Sequence, residues 1–567
     1  MPKSTSSNQK KTEIKGFFGI DRSHFSGERG CERLENFRID SSGTLVKRPG
    51  RKKLFSFNTP ICTAIDFAIE SPDRPHGDCL VAAPPYLHAL SLEHGDDMIL
   101  SSNIGDPGSK VDLAILKQKP YLFDGRSVKT ISDGLDSMVI VDGYVPLYGK
   151  SWDPQNRGPV NEPANILSGN LRINYKIENY TDKLYVGLSI FSVSRVEING
   201  VSTSNYLCDG DSVVGDFPAG SSVDVWVSRL YFNTLIGSCR SAVTVGGGAT
   251  ERIVAFESDD SSSLLFFSSP VSDEDLEASR RGFPDSKPLY FPEDSELDLG
   301  FSISAVCPCG DSFLIFSERN ATLAKPNGLS CELYPLSASV GCIAPHAAIA
   351  KNRSVFAVSK DGFYRFDVDL SEPDKTVVKK ISVGLEGDDF IWSQGTKVFD
   401  NPAFGELWFG MSGRIFIYNI ELDTFYVYTD LYSRAMLSQN DFVYLFDEYS
   451  VWRFADIYLT DEDDGAFTDI EAVAVTRWLD FGDITEAKKV LTVHPIYDVD
   501  PGGSVKISVL TDGGLEYEQK ISGDDSPAPS QRKLRISRCR FRCAQLKISS
   551  TDGSRPKIYG AVLSAQS

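Results

Sequence analysis

The chain has 567 residues and carries 58 Lys and Arg against 78 Asp and Glu, a formal charge of −20. That length exceeds what one hydrophobic core serves, so several domains or a large repeat array are expected, and the charge argues against general nucleic-acid binding. An apolar fraction of 41% suits a globular chain, no apolar run approaches the roughly 20 residues that cross a bilayer, and the 11 Cys show no disulfide framework, so a soluble protein with reduced thiols and no secretory signal is expected.

Residues 1–15 are polar and charged and are expected to be flexible. A hairpin follows: Leu34 to Asp40 alternates, Ser41-Ser42-Gly43 turns, Thr44 to Arg48 returns, and Pro49-Gly50 ends it. The negative balance is reversed here, since residues 1–60 hold 13 Lys and Arg against 6 Asp and Glu. Five of these cations, Lys47, Arg48, Arg51, Lys52 and Lys53, cluster at the hairpin exit. They read either as a solvated loop or as candidate contacts to a partner's acidic surface or to DNA phosphates.

From residue 58 to 144, and again from 246 to 460, hairpin-like units recur. Seven can be traced: Thr63 to Leu92, Leu113 to Phe123, Arg252 to Ser268, Ala305 to Leu323, Val355 to Phe366, Phe399 to Tyr428 and Phe442 to Phe454. In the fifth, Asp361-Gly362 is expected to supply the turn. Turns near Asn320, Asp361 and Ser412 are about 40 to 50 residues apart, the interval of a four-stranded propeller blade.

Two stretches break the rhythm. Residues 145–245 hold their own alternating runs and an Asn199-Gly200 hairpin signal, as an inserted β-sandwich would. After an acidic linker, Asp461 to Gly465, residues 468–567 carry six further alternating runs, as a C-terminal β-sandwich would. Helix is scarce, with 272–281 the best candidate. The expected fold is therefore all-β: a β-propeller of six or seven blades in two parts (58–144 and 246–460), an arm and hairpin at 1–57, an inserted β-sandwich and a C-terminal β-sandwich.

Signatures of chemistry are missing. There is no GxxxxGK[ST], GxGxxG, GxSxG or HExxH, the six His are scattered, and Cys307-Pro-Cys309 has no second ligand pair nearby. His88 and His94 are near enough in sequence to meet, although a plain surface or core role is favoured. The acidic runs lack calcium-loop spacing and read as solvated surface. No catalytic, cofactor-binding or metal residue is assigned.

Two segments resemble a known family. Leu34-Glu-Asn36 with Gly43-Thr-Leu-Val-Lys-Arg-Pro-Gly50 is similar to the N-terminal signature of the tailed-phage propeller proteins called tail nozzle, tail tubular protein B or packaged-DNA stabilisation proteins, which belong to the head-to-tail channel. Gly341-Cys-Ile-Ala-Pro345 with Phe356 to Phe366 resembles a blade of the same group, and Trp478 to Asp483 with Gln545 to Ser550 more loosely resembles its appended sandwich. The resemblance implies a non-enzymatic virion protein, present in the host cytoplasm during assembly. It also implies a homo-hexameric ring contacting adaptor or connector rings and tail fibre or tailspike proteins, with double-stranded DNA passing through the lumen unbound. Six chains at −20 would present an acidic lumen that repels phosphates, leaving the basic segments for protein partners. The alternative is a virion propeller that binds or processes glycans; a cellular propeller scaffold is a third reading.

Overall fold

The structure is a computed structural model that describes residues 9–22, 30–69, 77–93, 96–132, 137–141, 143–150, 162–187, 189–229, 235–271, 289–328, 330–336, 339–385, 395–411, 413–439, 442–514, 516–523 and 529–566. The chain is all-β, and among these residues helix is confined to 3-10 turns of three or four residues. The helix expected at 272–281 lies outside the described residues, as does His94.

Five antiparallel four-stranded sheets follow one another. They run from Thr63–Ile69 to Asp97–Ser101, from Asp112–Leu116 to Met138–Ile140, from Cys239–Val245 to Glu296–Asp298, from Ala305–Cys309 to Ser330–Pro335, and from Ala348–Lys351 to Val377–Lys380. A sixth unit, Lys397–Asn401 to Thr424–Thr429, is part of a nine-stranded sheet. The seventh, beginning at Ala435–Gln439, takes its fourth strand from far upstream: Gly50–Ser56 pairs antiparallel with Ser450–Ala455. The first strand of each unit lies beside the first strand of the next, and that of the seventh lies beside that of the first.

This packing explains why the second strands are not simply amphipathic. Ser312–Phe316, Ser354–Ser359 and Glu406–Met411 are buried at every residue, because each sheet is covered on both faces by its neighbours. Separate apolar clusters fill the gaps. Phe446 and Val81 share one cluster between the seventh and first units, Leu80 and Leu122 another between the first and second, Phe123 and Phe266 a third between the second and third, and Phe256 and Phe313 a fourth between the third and fourth. Asn352-Arg353 and Lys117-Gln118 make two-residue turns with both φ positive, the geometry that matches strand twist. At the expected Asp361-Gly362 turn the loop is instead Lys360-Asp361. Ser359 pairs with Gly362, which opens the next strand at φ 143, where a Cβ would sit 2.2 Å from Ser382 Oγ.

The insertion forms two sheets. One has the order Leu147–Lys150, Asn170–Lys176, Ser222–Arg229, Ile190–Ile198, Val201–Thr203, and the other Thr181–Tyr185, Ser212–Phe217, Tyr206–Asp209. Leu171, Ile173, Val196, Val213, Phe217 and Val225 are in its core. Its expected end at residue 245 is too late, since Cys239–Val245 pairs with Arg252–Ser258 and starts the third unit. An alternating strand looks the same in sequence whichever sheet receives it.

The C-terminal strands also form two sheets, but not alone. Gln9–Ile14 and Leu45–Lys47 pair with Lys557–Gln566, and Cys31–Glu35 pairs with Ala472–Thr476. Of the arm expected to be separate, and flexible over residues 1–15, the strands Gln9–Ile14, Cys31–Glu35, Phe37–Ile39 and Leu45–Lys47 therefore join these C-terminal sheets, while Gly50–Ser56 joins the seventh unit. Cys31–Glu35 also bridges to the sixth unit through Glu35 and Val427. The acidic linker is a strand too: Asp461–Asp463 turns at Asp464-Gly465 into Ala466–Thr468 and lies parallel to Gly50–Ser56.

Candidate functional site

The five basic candidates lie where the outermost strand of the seventh unit meets the composite C-terminal sheets. Lys47 is 1% exposed; its Nζ donates to the Asp552 carbonyl and, at 3.5 Å, to Ser550 Oγ. Burial pushes its ammonium pKa down to about 8. Arg48, 2% exposed, forks onto Asp461 at 3.1 and 2.9 Å and donates through Nε to Asn36 Oδ1 at 3.1 Å. Asn36 adopts φ 55, which Asn tolerates, and its amide donates to Thr429 Oγ1 and the Glu471 carbonyl at 2.8 and 2.7 Å. Arg51 stacks its guanidinium 4.1 Å above the Trp452 ring and sits 3.6 Å from Asp461. Lys52 pairs with Glu462 at 3.1 Å, and Lys53 with Asp463 and Asp464 at 2.9 and 2.8 Å. Four of the five meet the chain's own acidic side chains, Lys47 meets a backbone carbonyl and a hydroxyl, and none of them lies at the centre of the seven units.

That centre is a cavity of about 630 Å³ walled by residues from all seven first strands. Its lining is largely apolar and its ionisable members are Asp112, Glu251, His346 and Lys397. At one end it opens into a mouth of about 310 Å³ that adds Lys110, Tyr432 and Arg434. The mouth residues sit at or just before the first residues of first strands: Asp112 opens the second unit, His346 precedes the fifth, Lys397 opens the sixth and Arg434 precedes the seventh.

Asp112 is 2% exposed; its Oδ2 lies 2.7 Å from His346 Nε2 and accepts from the Ala242 N–H at 3.1 Å, while Oδ1 accepts from the Leu113 N–H at 3.0 Å. Burial alone would raise this carboxyl, but the charge and hydrogen bond of His346, the charge of Lys397 and the Ala242 N–H together hold it below the usual range. Lys397 donates to the Cys62 carbonyl at 3.3 Å, and burial lowers its ammonium against the opposing pull of Asp112. Lys110 is paired with Glu257, and Arg434 reaches Glu448 and the Ile61 carbonyl, each at 3.0 Å. Among the described residues lining the mouth, Asp112 is the sole carboxylate, facing one imidazole and three cationic side chains.

Sequence reasoning singled out none of these mouth residues. Their common signal is a polar residue at the entry of an otherwise apolar strand, which surface turns share. Elsewhere, His88 Nδ1 meets Asp97 at 2.9 Å, and Cys307 and Cys309 are buried within one strand.

No family model matches this chain, and no curated protein matches it. Among solved structures, an exo-beta-1,3-galactanase from Phanerochaete chrysosporium with galactose aligns over 81% of this chain and 96% of its own. The identity is 8% and the TM-score 0.18, at which the likeness carries no argument about fold or activity.

Proposed function

We propose that the seven units are the blades of a β-propeller closed by the Gly50–Ser56 strand, and that the protein is a structural ring component of a short phage tail. In this reading it is a nozzle subunit that helps retain packaged DNA and conduct it at ejection. The observation that carries the reading is on the inserted sandwich. Tyr180, Tyr185, Phe191, Val201 and Leu207 are 64 to 73% exposed there, a concentration of exposed apolar side chains in one inserted segment that supports subunit contact through it. The resemblance of the N-terminal hairpin and the fifth unit to the nozzle family supplies the kind of assembly. The central cavity also favours a channel between copies over one through the blades. Seven first strands, each beside the next, enclose about 630 Å³, far less than a duplex segment spanning them would fill.

A mass and imaging measurement on purified particles of the encoding phage tests this. Six copies in a ring at the tail end are expected, and absence of the protein from the particles overturns the proposal. The second reading, a virion propeller that handles glycans, draws on the charged axial mouth. The one carboxylate among its described residues is already paired with His346, unlike the two carboxyl groups flanking a scissile bond in most glycosidases, so this mouth favours binding over hydrolysis.

A further inference from the structure

We infer that the axial mouth is a binding site for a small anion of about monosaccharide size that presents one carboxylate or phosphate group, with Lys397 as its principal charge partner. The inference does not depend on the assembly reading.

The charges at the mouth do not cancel by internal pairing alone. Lys110 is matched by Glu257 and Arg434 by Glu448, both outside the mouth, while Asp112 is taken up by His346 and two backbone N–H groups. Among the described residues, the half-buried Lys397 ammonium makes one hydrogen bond, 3.3 Å to a neutral carbonyl, although it has three hydrogens to donate. A cation held at the wall of a cavity, with donors to spare, is a ready partner for an anion that enters it, and the cavity has room for one. Because Asp112 holds the His346 ring through Nε2, the ring is fixed at the edge of the same space, with Lys110 and Arg434 adding positive potential around the opening.

Size narrows the ligand. About 310 Å³ is at the lower limit of small-molecule pockets, too small for an oligomer to be enclosed and large enough for one sugar-sized ring. Tyr432, half-buried at the rim with its hydroxyl accepting from Arg434 Nε at 3.1 Å, adds an aromatic wall for the uncharged part. An ammonium and a guanidinium serve carboxylate and phosphate alike, so both chemistries stay within the proposal.

The test is calorimetric titration of the full-length protein with glucuronate, glucose 6-phosphate and uncharged glucose, repeated on Lys397→Met and Lys397→Arg. At least one anionic probe is expected to bind at least tenfold more tightly than glucose. The K397M substitution should weaken that binding at least tenfold, and K397R should largely retain it. Binding of glucuronate alone identifies a sugar acid as the source of the anion, and binding of glucose 6-phosphate alone identifies a phosphate ester. Circular dichroism and melting curves check that the variants fold. Should K397M not fold, His346→Gln serves instead, with at least threefold weakening expected. The inference is overturned if neither anion outbinds glucose, or if the folded variant binds as the parent does.

Discussion

Replacing Arg48 by Met removes one side of a buried ion pair while keeping most of the side chain's volume. Asp461, whose side chain is 16% exposed, then loses two charge-assisted hydrogen bonds of 3.1 and 2.9 Å and retains Arg51 at 3.6 Å with the Arg51 N–H at 3.2 Å. Breaking a buried pair from one side typically costs 3–5 kcal/mol, and the remaining Arg51 contact places this case near the low end, about 3 kcal/mol. The strain falls on Gly50–Ser56, which is held between Ser450–Ala455 and Asp461–Asp463. Native-state hydrogen exchange of amides in 50–56 is the assay. At about 1.4 kcal/mol per tenfold, protection there should fall roughly a hundredfold in R48M. In the double variant R48M/D461L, where no charge is stranded, at least half of the loss should return. Unchanged protection in R48M would mean that Arg48 does not lock the strand, and the internal-partner account of the basic segment would fail.

Lys47→Met tests a pH dependence. A folded-state pKa of about 8 lies below the unfolded value of about 10.4, so between those limits the unfolded chain binds the extra proton and stability rises with pH. The cost of the charged form is fully present at neutral pH. Urea unfolding at pH 7.5 and 9.5 should show K47M gaining less from the rise than the parent; equal gains would refute the assignment. Gly362→Ala forces a Cβ to within 2.2 Å of Ser382 Oγ at a φ of 143, and a loss of about 1–3 kcal/mol is expected, read as a lower melting temperature. A melting temperature equal to the parent's would show that Ser382 moves freely. The paired change Phe191→Asp and Leu207→Asp, at side chains 72 and 73% exposed, should leave the monomer's melting temperature within about 2 °C. The same change should deplete the protein from assembled particles, and normal incorporation would count against the insertion as a contact surface.

The repeating units were legible because turn chemistry and strand length are local. Asn199-Gly200 turns at φ 49 and 78 as its sequence demands, and all seven traced units correspond to four-strand units. What was not legible depends on partners distant in sequence. Asp461 to Asp464 look like a solvated linker until Arg48, Lys52 and Lys53 are placed opposite them, and those cations look like a free basic patch until the acids are placed. Either half alone reads as surface. Cys239–Val245 could join either neighbouring sheet by pattern, and the neighbour is decided by burial against the second unit. The axial mouth was hidden for a related reason. Asp112, His346 and Lys397 come from three separate strand entries, and only the circular arrangement of first strands brings them within reach of one another.

The pairing of Gly50–Ser56 with Ser450–Ala455 has a consequence in time as well as in space. Ser56 and Ser450 are 394 residues apart, so at about 5–20 residues per second the ribosome needs roughly 20–80 s to deliver the second partner after the first. Throughout that interval the early strand lacks its native partner strands, the situation in which edges recruit foreign ones. Arg51, Lys52 and Lys53 give it a charge that deters such pairing until the matching acids emerge a few residues after its partner strand. The same cations thus guard the nascent chain first and fasten the finished one afterwards. A polypeptide released before residue 455 retains the guard without the fastening.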